Sequence, residues 1–137
     1  MSLGTSYWRI ATALAVVALT IVVLGEIVPV PNLVELDLQE FFFWSNLRFA
    51  IIALLAFGLG AYLARTDITV IAAIVSGILW CVIVYLTREI APPGQKDVWL
   101  IVTRNAWGVT SSLLAAIVGA KLGRWLYLRR VEHAGAT

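Results

Sequence analysis

The sequence predicts an all-α integral membrane protein with four transmembrane helices, organised as one domain over residues 1–137. Three observations predict this fold class. Hydrophobic residues make up 61% of the chain and charged residues only 13%, whereas a soluble domain carries about a quarter charged residues. The apolar residues form four long runs, and the charged residues gather between them. Little of the chain is therefore expected outside the bilayer.

Each apolar run is long enough to cross the bilayer as a helix. Roughly 20 helical residues cross about 30 Å of hydrocarbon. The runs are continuous rather than alternating, which favours helices over barrel strands. We expect the four spans to pair as two helical hairpins. The predicted spans are at about residues 8–28, 43–64, 68–86 and 106–126.

Prolines mark the connections on one side of the predicted bundle. Pro29 and Pro31 follow the first span, and Pro92-Pro93-Gly94 forms a turn after the third. Segment 33–44 combines acidic residues with a dense aromatic run. We interpret it as an interfacial segment on the outer surface, and residues 127–137 as a cytoplasmic tail.

The loop charges predict the orientation. The connection between the first two spans carries Glu35, Asp37 and Glu40 and no Lys or Arg. Basic residues cluster instead at the opposite helix ends, at Arg65 and after Arg124. The positive-inside rule then places both termini in the cytoplasm. This orientation leaves three basic residues on the outer side, which are Arg88, Lys96 and Arg104.

One phrase occurs twice, as LLAFGLGAYLAR at 54–65 and as LLAAIVGAKLGR at 113–124. When Asn46 is aligned with Asn105, eight of the 20 positions from 46 to 65 are identical. This pattern indicates a degenerate hairpin duplication with parallel repeats, the alternative being chance similarity among apolar segments. The Gly-Ala-x-Leu-small-Arg endings resemble those of small bacterial and archaeal four-span proteins of unknown function. The resemblance covers only two helix halves and implies no activity. We expect a multi-pass protein of a prokaryotic plasma (inner) membrane.

Small residues spaced four apart predict where the helices pack. Such rows let two backbones approach closely in lipid. An alternative is that flexible glycines line a substrate path. The rows are Ala56, Gly60 and Ala64 on the second span, Ala73, Gly77 and Cys81 on the third, and Ser111, Ala115, Gly119 and Gly123 on the fourth.

Three charged residues lie near the outer ends of the spans. Glu26 ends the first span, while Arg48 and Arg104 lie near the starts of the second and fourth. An intramembrane charge is by default a hypothesis for a functional site. Because each can reach the interface, we expect a structural cluster in which Glu26 pairs with Arg48 or Arg104. An ion or substrate site is the alternative.

The residue inventory argues against catalysis and cofactors. The chain has one Cys and one His, which leaves no disulfide, no bis-His haem and no His-based metal cluster within one chain. A Ser nucleophile would lack a base at membrane depth. Small multidrug transporters need an acidic residue in the middle of the first span, and Glu26 lies at its end. We therefore expect no enzyme, no cofactor, no metal and no nucleic-acid partner.

The number of small-residue rows suggests that the protein packs against other membrane helices. Three rows of small residues exceed what the interior of one four-helix bundle requires. We expect a non-catalytic accessory or structural subunit of a larger membrane assembly, with lipids and other subunits, or further copies of itself, as partners. One alternative is a small homo-oligomeric transporter or channel that uses the charged cluster. Another is a lipid-, quinone- or pigment-binding subunit whose pocket is edged by Tyr62, Trp80, Cys81 and Tyr85.

Overall fold

The computed structural model describes residues 3–29 and 38–135. These residues form five α-helices and no strand: α1 (Leu3–Ile27), α2 (Leu38–Ala64), α3 (Thr69–Ile90), α4 (Val98–Arg104) and α5 (Ala106–Gly135). Four stretches are long and apolar enough to cross a membrane, namely Tyr7–Ile27, Phe43–Ala64, Thr69–Ile90 and Ala106–Gly135. The prediction of an all-helical chain with four candidate spans is thereby confirmed.

Helix α3 runs past the predicted end at residue 86 and stops at a proline pair. Ala91 is extended, with φ −67° and ψ 143°, because a residue before proline is disfavoured in the helical region. The Gln95 N–H then donates to the Pro92 carbonyl at 3.0 Å. Gly94 has φ 91°, which suits the third position of a type II turn. The turn is therefore at the predicted residues, and α3 ends about one helical turn later than expected.

The short helix α4 was not expected from the sequence. The Asp97 side chain accepts a hydrogen bond from the Trp99 N–H, which is the usual N-cap arrangement. Asn105 separates α4 from α5, and its side chain donates to the Ile101 carbonyl at 2.8 Å. The apolar run VWLIV is too short to cross a bilayer, so the hydropathy pattern alone did not mark it as an element.

Two boundaries extend into predicted connections. Residues 38–44 of the predicted interfacial segment form the first turns of α2, while residues 33–37 lie outside the described part. Helix α5 continues to Gly135 through most of the predicted tail. Leu, Arg, Glu and Ala, which are good helix formers, dominate this stretch.

Helices α2 and α5 form the centre of the molecule. In their most apolar windows 39% and 33% of residues are buried, against 11% in both α1 and α3. Helix α1 packs on α2, and α3 packs on α5 with the short α4 beside it. The core is built mostly from alanine, which brings the backbones close. Its buried members are Ala13, Val17, Ala56, Phe57, Ala61, Ala64, Ile68, Ala72, Ala116 and Ala120.

Helices α2 and α5 run parallel. Asn46 lies against Gly108 near their N-terminal ends, and Gly58 lies against Gly123 further along. At the other end the Tyr62 and Tyr127 rings make an edge contact, with centroids 6.5 Å apart. We call the end of the molecule that holds Tyr62 and Tyr127 the basic end. Helix α2 ends there, and α1 and α3 begin there. The opposite end holds the C-termini of α1 and α3 and the whole of α4.

Candidate functional site

The α2–α5 interface depends on two glycines of α5. A Cβ atom at Gly119 would overlap the Leu54 backbone carbonyl, and one at Gly123 would overlap the Gly58 carbonyl. The neighbouring atoms are backbone, which cannot rotate away as a side chain can. Gly119 and Gly123, both predicted packing residues, are therefore placed where only glycine fits.

Elsewhere on α5, the buried residues lie one position after the predicted small residues. Ser111 and Ala115 are half-buried, while Gly108, Ser112, Ala116 and Ala120 are buried. A strict spacing of four rotates about 40° round the helix at each step, since an α-helix has 3.6 residues per turn. The partner helix therefore meets the predicted row only where the two cross, at Gly119 and Gly123.

Gly60 of the repeated phrase faces a different helix from its counterpart Gly119. A Cβ atom at Gly60 would lie 2.7 Å from Val17 Cγ2 and 3.1 Å from the Ala13 carbonyl oxygen, both in α1. Ala56 and Ala64 of the same row are buried, at 0% and 3% exposure. The same phrase thus joins α2 to α1 in one copy and α5 to α2 in the other.

Helix α3 packs through the row next to the predicted one. Its buried residues are Ala72, Ser76 and Trp80. Ala73 and Gly77 are half-buried and Cys81 is exposed, and no heavy atom lies within 4 Å of a Cβ built at Gly77. We call Ala73, Gly77 and Cys81 the α3 small-residue row. Around Gly77 and Cys81 this row leaves room for a further side chain or helix.

A buried polar contact fastens α3 to α5. The Trp80 indole N–H donates to the Ser112 hydroxyl at 2.6 Å, and that hydroxyl donates to the Gly108 carbonyl at 2.7 Å. Both polar groups are satisfied in an apolar surrounding, where an unpaired group is costly. Beside this contact, a groove of about 480 Å³ is lined by Cys81, Tyr85 and residues of α4. Tyr62, the fourth predicted pocket residue, lies at the other end of the molecule.

The Arg48 side chain binds backbone carbonyls at the C-terminal end of α1. Its Nε donates to the Val28 carbonyl at 2.8 Å, and its Nη2 donates to the Gly25 carbonyl. A helix leaves its last carbonyls without intrahelical partners and carries partial negative charge there. A cation from α2 therefore caps α1 and ties the two helices together at the opposite end.

The other two members of the predicted charged cluster lie apart from this contact. Arg104 donates to Gln95 Oε1 at 3.4 Å. Glu26 is exposed and, within residues 3–29 and 38–135, forms no ion pair with Arg48 or Arg104. The contacts therefore do not join the three residues into one site.

The basic end carries a network of arginine and tyrosine side chains. Arg124 Nη1 donates to the Arg65 carbonyl at 2.5 Å, and its guanidinium carbon lies 5.6 Å from the Tyr127 ring centroid. Arg130 Nη1 donates to the Tyr62 hydroxyl at 2.7 Å. Arg65 itself has φ 56°, in the left-handed region that often ends a helix. The network closes the C-terminus of α2 and links it to α5.

Asp67 is an acidic group in the turn between α2 and α3, beside this network. Hydrogen bonds from the Thr69 hydroxyl at 2.6 Å and the Thr69 N–H at 2.9 Å hold its carboxylate. These bonds lower the pKa of Asp67, and the charges of Lys121 and Arg124 add to the shift. Asp67 therefore bonds to the start of α3, and it forms no direct ion pair with an arginine in the described part of the chain.

The network is the feature that the sequence-based prediction missed. Arg65 and Arg124 were noted only as basic residues at helix ends, and residues 127–137 were interpreted as a tail. The available signal was the dense mixture of basic and aromatic residues in KLGRWLYLRR after residue 120. In the described ranges, no three His, Cys, Asp or Glu side chains come together as metal ligands.

The function has to be argued from these contacts. No protein-family model matches the chain, and no curated protein or solved structure is significantly similar to it.

Proposed function

We propose that the protein is a non-catalytic accessory subunit of a larger membrane assembly. The observation that carries the proposal is the open position at Gly77 in the α3 small-residue row, where a built Cβ has no heavy atom within 4 Å, beside the exposed Cys81. Lipid tails cover any apolar face. A row of small residues is instead typical of a helix surface on which another backbone packs closely.

The charged residues support this proposal better than the transporter alternative. A homo-oligomeric transporter or channel would use Glu26, Arg48 and Arg104 together. Arg48 is engaged by two carbonyls of α1, and Arg104 contacts Gln95. Side chains used as caps at the membrane surface are poor candidates for an ion pathway, which needs polar groups within the span.

The groove beside Trp80 supports a second candidate function, the binding of a lipid, quinone or pigment. Cys81, Tyr85 and the apolar side chains of α4 line a volume of about 480 Å³, within the range of small-molecule pockets. A lipid, quinone or pigment would lie against the same face as the α3 small-residue row. A partner helix and such a ligand would then compete for this face.

We also propose how the protein is oriented in its membrane and that it arose by duplication of a helical hairpin. The basic end carries Arg9, Arg65, Lys121, Arg124, Arg129 and Arg130 against Asp67 and Glu132. The positive-inside rule places this end, and both termini, in the cytoplasm of a prokaryote with the spans in its plasma membrane. The phrase shared by 54–65 and 113–124 supports two hairpins arising from a parallel repeat.

Native mass spectrometry after gentle detergent extraction tests the proposal. We expect a complex that contains the 15.0 kDa chain together with a different polypeptide. Replacing Gly77 by Leu should remove that polypeptide while leaving the chain folded, because no heavy atom lies within 4 Å of a Cβ built at Gly77.

Gly25→Leu is the matched control, since Gly25 also has no heavy atom within 4 Å of a built Cβ. It should keep the partner. Masses at multiples of 15.0 kDa alone would favour the homo-oligomeric transporter, and a lone monomer would contradict the accessory role.

A further inference from the structure

A groove at the basic end plays no part in the proposed assembly. It lies between the last turns of α2 and α5 and has a volume of about 350 Å³. Two arginines and two tyrosines line it together with apolar side chains. These residues include Tyr62, Arg65, Tyr127 and Arg130, with Leu63 and Val131 on the apolar side.

The two arginines of the groove are held in place without being neutralised. Arg130 is fixed by the Tyr62 hydroxyl at 2.7 Å, and the Arg65 guanidinium carbon lies 5.9 Å from the Tyr127 ring centroid. Within the part of the chain that the structure describes, neither arginine forms an ion pair with a carboxylate. Positive charge lining a cleft attracts anions, so this groove is suited to one.

The groove lies at the depth of lipid headgroups. The apolar span of α2 ends at Ala64, and Arg65 follows directly. Leu63 and Val131 are about half exposed, at 49% and 50%, and adjoin the cationic part of the groove. Tyrosines with one apolar and one polar side are typical of this interface. Leu63 belongs to the span and lies on the bilayer side of Arg65, so the groove offers cations next to an apolar side chain, which matches a phosphate above an acyl chain.

We propose that this groove binds the phosphate of an anionic phospholipid. Arg65 and Arg130 donate to the phosphate oxygens, as guanidinium groups commonly do. A guanidinium has five N–H donors, so the bond to Tyr62 leaves donors of Arg130 for the lipid. Tyr62 is a positioning residue that aims Arg130. This site does not depend on the accessory role.

Lipid binding to the purified full-length chain tests this assignment. The chain in detergent is titrated separately with phosphatidylglycerol, with phosphatidylcholine and with inorganic phosphate, and bound molecules are counted by native mass spectrometry. We expect phosphatidylglycerol to bind most tightly. Arg65→Gln and Arg130→Gln should each weaken it about fivefold, the size of one arginine's attraction to an anionic membrane surface.

Arg104→Gln is the matched control, because it removes the same charge from the opposite end and Arg104 lines neither groove, so it should leave binding unchanged. Tyr62→Phe keeps the ring but frees Arg130, and a smaller weakening is expected. Circular dichroism of each variant separates lost binding from unfolding. Equal binding of phosphatidylcholine, equal weakening by Arg104→Gln, or inorganic phosphate binding as tightly as the lipid would each overturn the proposal.

Discussion

At the scale of single residues, the Trp80–Ser112 contact is the buried polar pair that joins α3 to α5. Trp80 is 9% exposed and Ser112 is 5% exposed. Hydrogen bonds between membrane helices contribute about 0.6 kcal/mol on average and up to roughly 1.7 kcal/mol. A short bond between two buried groups should lie in the upper part of that range.

Ser112→Ala should therefore destabilise the chain by about 1 kcal/mol, because it leaves the indole N–H without its acceptor. The measurement is reversible unfolding in mixed micelles. A double-mutant cycle with Trp80→Phe isolates the pair, since Ser112→Ala should cost less when the indole is absent. Equal costs in both backgrounds would show that the contact contributes nothing to stability.

Among the described residues, Arg65 is the one non-glycine residue with a positive φ. Its φ of 56° is a conformation in which a side chain costs about 1–2 kcal/mol relative to glycine. Arg65→Gly and Arg65→Ala both remove the guanidinium, so their difference isolates the backbone. We expect Arg65→Gly to be the more stable variant by about 1 kcal/mol in the same unfolding assay. If alanine is as stable as glycine, α2 does not end in the left-handed region.

At the scale of elements, the α2–α5 interface determines how the chain packs. Helices in lipid associate by close packing rather than by exclusion of water. Gly119 and Gly123 bring the α5 backbone against the carbonyls of Leu54 and Gly58. Stability should therefore depend more on these glycines than on any large side chain at the interface.

Gly119→Leu should separate α2 from α5, because its new side chain meets the α2 backbone. Overpacking of this kind costs about 1–3 kcal/mol, visible as a lower melting temperature in detergent. Gly77→Leu makes the same substitution where nothing lies within 4 Å, and it should leave the purified chain unaffected. Similar melting temperatures for the two variants would refute the glycine-dependent interface.

At the scale of the whole molecule, the distribution of charge predicts the topology. In a Cys81→Ser background, a cysteine at Asp37 and one at Gly135 should be labelled by an impermeant maleimide from opposite sides of intact membrane. Gly135 should react only from the cytoplasmic side. Labelling of both from one side would refute the four-span topology, and exchanged sides would reverse only the orientation.

Hydropathy determined much of this architecture from the sequence alone. The four apolar runs lie within or close to the four long helices, because crossing hydrocarbon requires about 20 apolar residues whatever the neighbours are. The proline pair stopped α3 by a local steric effect. The glycines of the repeated phrase indicated close contacts between helix backbones, because a residue without a side chain lets two backbones approach each other.

Only the tertiary structure decided which helix each row meets. A row of small residues permits close packing but does not determine which helix packs on it. Gly60 contacts α1, whereas the equivalent Gly119 contacts α2. A cation near a helix end can pair with a carboxylate, a carbonyl or a ring with similar energy. Arg48 thus binds the carbonyls of α1 rather than Glu26, and Arg124 binds the Arg65 carbonyl. These choices depend on distances between segments far apart in the chain, which local sequence does not determine.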